Sequence, residues 1–433
     1  MTQQPRFFYG WVIVAIAFIM MAIGYTQRST FAVFYPVLVD EFGWERGNTA
    51  LIFSISIIVY GLTAPLAGRL VDRLGPRVVF PFGVCLMSGG IALCSVATQQ
   101  WHFYLLYGVL AAVGLSIVGS TPLNAIIANW FVRKRALAIG IYSTGFGASL
   151  LVSPLAQKLI TGLGWQRAYL TIGVLTAVIV VPLVIVFMRR SPSDKGTVPD
   201  GDAPREAMPN APGPRLVATT WMRTDWTVRR ALRTRQFWLL FFADLCLMGV
   251  AQQTVIAHSV YLFRDSGFGA QMAANSFSFY GIGITIGYLC ANLSDRIGRE
   301  RVIIPGCLLS AAATALLFLV DGPSHFWLGC VSMFFCGLGM GAMVTTFFAT
   351  IADLFQGRDF GAIMGMMTFG FSIGGAFSPW FAGYLHDVTG SYSVAVGLIV
   401  SALVIGAALV ALVGPHRLRP VRVLAAPLRG GKA

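Results

Sequence analysis

Long apolar runs alternate along the chain with short polar segments. A bilayer core about 30 Å thick needs roughly 20 apolar residues in a helix. On this criterion the sequence predicts twelve spans, at about 9–37, 49–70, 78–98, 102–128, 136–161, 168–188, 237–262, 273–293, 302–320, 326–352, 360–384 and 392–413. The first run lacks a cleavage-site pattern after a short apolar core, so we expect a retained helix and not a signal peptide.

The composition agrees with a membrane protein and excludes several other classes. Of the 433 residues, 56% are hydrophobic and 11% are charged, and the mean hydropathy is +0.74. Soluble domains usually carry roughly 25% charged residues, so a soluble enzyme, a disordered chain and a secreted disulfide scaffold are excluded. The 7 cysteines lie in apolar runs without metal-ligand spacing, and we expect no metal and no cofactor.

The net charge of +14 is distributed unevenly among the loops. If both termini are cytoplasmic, Arg46, Lys158, Arg167 and Arg264 are the basic residues left outside, and Arg28 lies within a span. Cytoplasmic loops of membrane proteins carry an excess of Lys and Arg. The pattern therefore predicts a multi-pass protein of the cell (inner) membrane with both termini cytoplasmic, and it explains the charge without nucleic acid.

The chain divides into two similar halves. A polar segment rich in Pro and Gly, 191–235, predicts a cytoplasmic linker between residues 1–190 and 236–413, and residues 414–433 form a cytoplasmic tail. Asp72, Arg73 and Gly75 recur as Asp295, Arg296 and Gly298 after an offset of 223 residues. Parallel repeats of six spans are typical of one transporter architecture. We therefore expect an all-α polytopic membrane protein with two pseudo-symmetric six-helix bundles.

These motifs resemble a known family. The pattern G-x-x-x-D-R-x-G-x-R between spans 2 and 3 is echoed between spans 8 and 9, with Ala291 replacing the first Gly, and resembles the signature of the major facilitator superfamily. The segments FYPVLVDEFGW, NWFVRKRALAIGI, ADLFQGRDFGAIMG and GYLHDVTGSY resemble the monocarboxylate transporter and oxalate–formate antiporter group. The resemblance implies small organic anions as the substrate class.

The sequence departs from this group at two positions where the resemblance implies charge. Span 8 contains no charged residue, and span 11 lacks the lysine expected of an oxalate-type exchanger. Without a second buried cation, a dianion is a poor fit. A monoanion, or an aromatic or longer acid held partly by hydrophobic contacts, is favoured.

Arg28 is the basic residue that falls inside a predicted span. A charge at such a depth usually faces a cavity or a partner, and a guanidinium can bind a carboxylate bidentately. We interpret Arg28 as a carboxylate clamp, although an arginine that snorkels or is paired structurally gives the same pattern. The further candidates for substrate binding are polar side chains within spans, namely Tyr25, Asn124, Tyr142, Gln252, Gln253 and Tyr280.

Asp244 is the acid within a predicted span, early in span 7. It is either the carrier of a coupling proton or a partner in helix packing or gating. His258, near the outer end of the same span, is either a proton relay or a helix cap. The Asp72–Arg73 and Asp295–Arg296 pairs lie at cytoplasmic helix ends, where they either gate the two halves or serve only as topogenic charge.

The favoured hypothesis is a secondary transporter of small organic anions that couples transport to protons, works as a monomer in the lipid bilayer and alternates access between the two halves. The alternative is a proton-driven exporter of drugs or other lipophilic compounds. Span 5 reads GFGASLLVSPLAQ and lacks the G-x-x-x-G-P-x-x-G-G pattern usual in that group. A membrane enzyme has no supporting catalytic motif, and a receptor would bind its ligand without substrate flux.

Overall fold

The computed structural model describes residues 8–131, 134–201, 216–217, 226–290, 293–355, 359–414 and 421–422, without the side chains of Asp72, Arg135, Ala136, Leu216, Val217, Asp295, Arg296, Val421 and Arg422. Within these ranges the chain is almost entirely helical, as the sequence predicts. Two residue pairs, Leu216–Val217 and Val421–Arg422, form a short antiparallel strand pair.

Twelve long helices follow one another in the described ranges, and the predicted number of spans is confirmed. They are α1 Gly10–Phe42, α2 Arg46–Leu74, α3 Pro76–Val96, α4 Gln100–Trp130, α5 Arg135–Leu150 with Ser153–Leu163, α6 Trp165–Phe187, α7 Arg235–Asp265, α8 Ala270–Cys290, α9 Glu300–Leu319, α10 Phe326–Leu354, α11 Phe360–Thr389 and α12 Ser393–Val413. Short helices at Val228–Ala231 and Ser294–Ile297 and single turns at Pro192–Lys195, Pro199–Gly201 and Pro323–His325 occur between them.

Eleven of these helices are both long and apolar enough to cross a membrane. The remaining one, α8, has 21 residues but reads AQMAANSFSFYGIGITIGYLC, so its polar residues dilute its hydropathy. Ser276, Tyr280 and Tyr288 are buried, and the other polar side chains of this helix are half-buried. The helix is therefore shielded from lipid along that face and needs less apolar character.

The first span of each half departs from α-helical geometry at the same level. Helix α1 is interrupted at Tyr25, between its segments Gly10–Gly24 and Thr26–Phe42. Helix α7 widens into a π-helical stretch at Leu245–Gln252, and the repeat offset of 223 places Met248 opposite Tyr25. Stretches of π-helix are rare in proteins, and those that occur are often found at functional sites.

Helices α1 and α7 meet face to face along the axis that relates the two halves. Contacts join Arg28 to Gln253, Tyr35 to His258 and Asp40 to Arg264. Each pair therefore lies close to the repeat offset. Residues that meet their own repeat equivalents must lie beside a pseudo-twofold axis, so Arg28 is central in the protein.

Two further helix pairs complete the interface between the halves, α2 with α11 and α5 with α8. Glycine permits both approaches, since a Cβ at Gly61 would collide with Ser372 and one at Gly147 with Thr285. The described hydrogen bonds and ion pairs between the halves run from the level of Arg28 to the end formed by residues 40–47, 264–265 and 386–387. We call this the closed end; it is the end predicted to face outward.

Candidate functional site

Arg28 lies near the middle of α1 and is 5% exposed. Its Nη2 donates a hydrogen bond of 2.5 Å to Gln253 Oε1, whereas its buried Nε has no partner. Three rings surround the guanidinium, those of Phe53 at 5.5 Å, Tyr60 at 6.0 Å and Phe371 at 5.8 Å from Cζ to the ring centroid. A buried cation with one neutral polar partner and an unused donor is arranged to receive an anion. We call Arg28, Gln253 and these rings the central site.

The sequence around Arg28 explains why a charge is tolerated at this depth. The run Tyr25–Thr30 is polar and entirely buried, which requires internal hydrogen bonds. The Thr26 hydroxyl donates to Ala22 O, that of Thr30 donates to Gln27 O, and the Ser29 hydroxyl lies 2.7 Å from Ser149 Oγ. The segment is thus held by the N-terminal half while its arginine faces the C-terminal half.

Tyr25 reaches the central site through another tyrosine. Its hydroxyl lies 3.1 Å from that of Tyr60, which is 3.4 Å from Ser120 Oγ. Its ring packs edge-on against Phe146 at 5.5 Å. Sequence reasoning missed Tyr60 and Phe371, because an aromatic residue in an apolar span gives no signal that separates a site from the core.

The polar candidates of the C-terminal half form a second group on α7 and α8, and Gln253 is the one that contacts Arg28. Gln252, Gln253 and Tyr280 are all buried. The Tyr280 hydroxyl faces the Gln252 side chain without a hydrogen bond of standard geometry. It is therefore an available polar atom between α7 and α8.

Tyr142 and Asn124 form a third group, within the N-terminal half. The Tyr142 hydroxyl donates to Asn124 Oδ1 at 2.5 Å, and its electrostatic neighbours are Tyr60 and Tyr288. Of the predicted substrate residues, the structure brings Gln253 against Arg28 and Tyr25 against Tyr60 beside it, while Tyr142 and Asn124 form a separate pair.

Asp244 is completely buried, at 0% exposure, and neither carboxyl oxygen has a hydrogen-bond partner. It lies against the backbone of Phe371, whose ring faces Arg28. Phe371 therefore separates the buried acid from the buried base. A buried carboxyl without a partner is costly in its charged form, which suits a group that binds and releases a proton.

His258 is buried in α7 and has partners at both ring nitrogens. Nε2 lies 2.8 Å from Pro379 O and Nδ1 lies 3.1 Å from the Tyr392 hydroxyl. Since a carbonyl only accepts, Nε2 carries the hydrogen. A tyrosine phenol is protonated near neutral pH, so the Tyr392 hydroxyl donates a hydrogen bond to Nδ1. This environment fits a neutral histidine that ties α7 to α11 and to the start of α12.

The predicted gating pairs lie mostly outside the described side chains. Those of Asp72, Asp295 and Arg296 are not described, and Arg73 is exposed. Nearby, Arg299 Nε donates to Asp353 Oδ2 at 3.1 Å and its Nη1 to Ser294 Oγ at 2.6 Å. The bond to Asp353 joins the start of α9 to the end of α10. The gating role of the four residues stays a prediction.

A charge network at the closed end was missed by sequence reasoning. Arg46 donates to both carboxylate oxygens of Asp265, at 2.6 and 3.1 Å, and its Nη1 lies 2.8 Å from His386 Nε2. Asp387 accepts from the backbone N–H groups of Arg46 and Gly47. These partners are separated by 219 and 340 residues, and the sequence carries no cue to such pairings.

Arg46 also lies over the Tyr261 ring at 3.9 Å, and a separate ion pair of 2.8 Å joins Arg264 to Asp40. Every one of these contacts connects the N-terminal half to the C-terminal half. In the part of the chain that the structure describes, no group of His, Cys, Asp and Glu could hold a metal ion. The arrangement therefore places an arginine with little charge compensation at the centre and a network of contacts between the halves at one end.

Comparison with protein families gives a match over nearly the whole chain. The model described as the Major Facilitator Superfamily matches residues 17–291 and 271–430. The similar curated proteins include "Monocarboxylate transporter 13" of Rattus norvegicus, 26% identical over 90% of this chain and 86% of the relative. "Monocarboxylate transporter 11" of Homo sapiens is 27% identical over 89% of this chain and 79% of the relative.

A bacterial protein is equally similar. The "Uncharacterized MFS-type transporter YcxA" of Bacillus subtilis (strain 168) is 25% identical over 92% of this chain and 93% of the relative. Among solved structures, a bacterial homolog of the human lysosomal transporter Spinster, in an inward-facing and occupied conformation, superposes with a TM-score of 0.71 at 15% identity. The superposition covers 97% of this chain and 100% of that one. The resemblance and the fold expected from the sequence are both confirmed.

Proposed function

The chain belongs to the Major Facilitator Superfamily, a family of membrane transporters and not enzymes, and on that premise we propose that it carries small organic anions with one carboxylate. The observation that carries this proposal is the state of Arg28. Its guanidinium is buried, is paired with one neutral amide and keeps an unused donor at Nε. A carboxylate supplies the missing charge and offers two acceptor oxygens in the geometry that a guanidinium fits.

The surroundings of Arg28 favour a monoanion with an apolar or aromatic body. Phe53, Tyr60 and Phe371 present ring surface to the guanidinium. Contact between these rings and apolar groups of a ligand would stabilise the complex. The described central site contains one basic side chain, which neutralises one carboxylate. The relatives named monocarboxylate transporters support the same substrate class.

We further propose that transport alternates between the halves 1–190 and 236–413 and is coupled to protons through Asp244. The charge network seals one end while the central site lies on the pseudo-twofold axis, as alternating access requires. The protein would work as a monomer in the cell (inner) membrane with both termini cytoplasmic. His258, with both nitrogens occupied, is the weaker candidate for the proton site.

The test is a thermal-shift screen of the detergent-purified protein with mono-, di- and aromatic carboxylates. We expect an aromatic or aliphatic monocarboxylate to raise the melting temperature of the wild type, and Arg28→Ala to lose the response. Arg167→Ala is the matched control, because Arg167 is an exposed arginine of the same half, and it should respond like the wild type. If Arg28→Ala responds equally, the clamp is wrong; stabilisation by lipophilic cations alone would favour a drug exporter.

A further inference from the structure

The side chain of Gln253 is bound to Nη2 of Arg28, the nitrogen shared by the two guanidinium edges, Nε–Nη2 and Nη1–Nη2, that can hold a carboxylate. Its Oε1 accepts from Nη2 at 2.5 Å, and a bidentate carboxylate needs two guanidinium N–H groups at once. Within the described residues, this hydrogen bond is also the polar link between the halves that lies deepest in the bundle. A ligand and the link therefore compete for the same donor.

Contacts within the C-terminal half hold the Gln253 amide in this orientation. Its Nε2 donates to Met248 O at 3.2 Å, and Met248 lies within the π-helical stretch Leu245–Gln252. Its aliphatic part packs against Gly375, where a Cβ would lie 2.8 Å from Gln253 Cγ. The nitrogen end is thus satisfied by α7 itself, and the oxygen end is presented to Arg28.

We propose that Gln253 is an internal ligand of Arg28, which the substrate carboxylate must displace in order to bind. The inference rests on the proposed function and assigns Gln253 a role opposite to that of a substrate contact. A neutral amide compensates the buried guanidinium only in part, so a carboxylate replaces it at a moderate cost. Displacement also breaks the central link between α1 and α7, which couples ligand binding to the separation of the halves.

The two roles predict opposite effects when the amide is removed. A residue that contacts substrate weakens binding when it is truncated. An internal competitor strengthens binding, because the ligand no longer has to displace a hydrogen bond to a charged group. Such bonds contribute enough free energy to change a dissociation constant by about tenfold.

The experiment is a thermal-shift titration of the full chain with benzoate and with L-lactate. Gln253→Met removes the acceptor and keeps the length of the side chain, and we expect its dissociation constant to fall about tenfold for whichever probe binds the wild type. Gln253→Glu places a permanent anion on Arg28, and we expect it to lose the response. Structural damage at this position would weaken binding in both variants, so a gain in affinity separates the two explanations.

The matched control is Gln157→Met. Gln157 is also buried, and its amide donates to Thr161 Oγ1 within α5 and not toward Arg28, so its titration should match the wild type. If Gln253→Met does not fold, Gln253→Asn keeps an amide but withdraws it by one methylene, and we expect the same direction of change.

The outcomes are distinguishable from failure of the proposed function. If the wild type responds and Gln253→Met binds equally or more weakly, the internal ligand is wrong while the carboxylate site stands. If neither protein responds to either probe, the carboxylate site fails and the internal ligand fails with it. A response by Gln253→Met alone supports the proposal, because the competitor then masks binding in the wild type.

Discussion

Two arginines at the interface of the halves differ in how completely their charge is compensated. Arg46 at the closed end has a bidentate carboxylate, Asp265, the ring of Tyr261 and a ring nitrogen of His386 as partners. Arg28 at the centre has one amide and a buried N–H without a partner. The same residue type thus has two different environments at this interface. A compensated arginine holds two surfaces together, whereas an undercompensated one is prepared for a ligand.

The acids repeat this contrast. Asp265 is paired with Arg46 and with His386 Nε2 at 2.8 Å, whereas Asp244 is buried without a hydrogen bond. The charged side chains at the closed end are therefore paired. At the centre Arg28 and Asp244 are not paired, and Phe371 lies between them.

The largest effect should come from replacing Arg28 with lysine. A lysine keeps the charge but has no planar fork. We expect Arg28→Lys to weaken monocarboxylate binding by about 10- to 100-fold, the range for losing a hydrogen bond between charged groups. The measurement is the thermal-shift titration with benzoate or L-lactate.

Arg46→Lys is the matched substitution at the closed end. Because Arg46 does not contact the central site, the Arg46→Lys protein should bind the same carboxylate with a dissociation constant within about twofold of the wild type. Equal losses in the two variants would mean that the contrast between the two arginines is wrong.

The fold was predictable because it follows from long-range averages. Span number, helix type and the repeat depend on apolar runs and on spacings such as Asp72 to Asp295. Arg28 and Asp244 were found for the same reason, since a charge in an apolar run is visible without any tertiary information.

Pairings between distant residues could not be predicted in this way. Arg46 and Asp265 read as ordinary loop charges, and nothing in the sequence shows that the start of α2 lies beside the end of α7. The π-helical stretch Leu245–Gln252 is also unmarked in the sequence. Nor does the pattern show that Gln253, the residue after this stretch, and not Gln252 contacts Arg28.

A second prediction compares the two acids. We expect Asp244→Asn to abolish the dependence of carboxylate uptake on the pH gradient, because an amide cannot bind or release a proton there. The measurement is uptake of labelled L-lactate into proteoliposomes, with and without an imposed gradient. The mutation replaces an unpartnered buried carboxyl, so the protein should retain its fold.

Asp265→Asn supplies the contrast for this test. It weakens the closed end but leaves Asp244 intact, so uptake should change in rate while its ratio with and without the gradient is preserved. A preserved ratio in Asp244→Asn would remove Asp244 as the proton carrier.

A third prediction concerns the conformational equilibrium. Arg46→Ala removes three inter-half partners at once, and we expect it to shift the population toward opening at the closed end by about tenfold. Spin labels at the exposed residues Glu41 and Val388, in a background without the native cysteines, report the distance between the halves at this end. A distance distribution identical to that without the mutation would show that Arg46 does not hold the end closed.

The smallest effect should come from the ion pair between Asp40 and Arg264. Their side chains are 54% and 30% exposed, and exposed pairs contribute about 0.2–1 kcal/mol. Arg264→Ala should therefore change the ratio of open to closed populations in the same spin-label measurement by about fivefold at most, and by less as salt is added. Exchanging the charges, with Asp40→Arg and Arg264→Asp together, should restore it. An effect as large as that of Arg46→Ala would mean that burial and the number of partners do not decide which arginine holds the halves together.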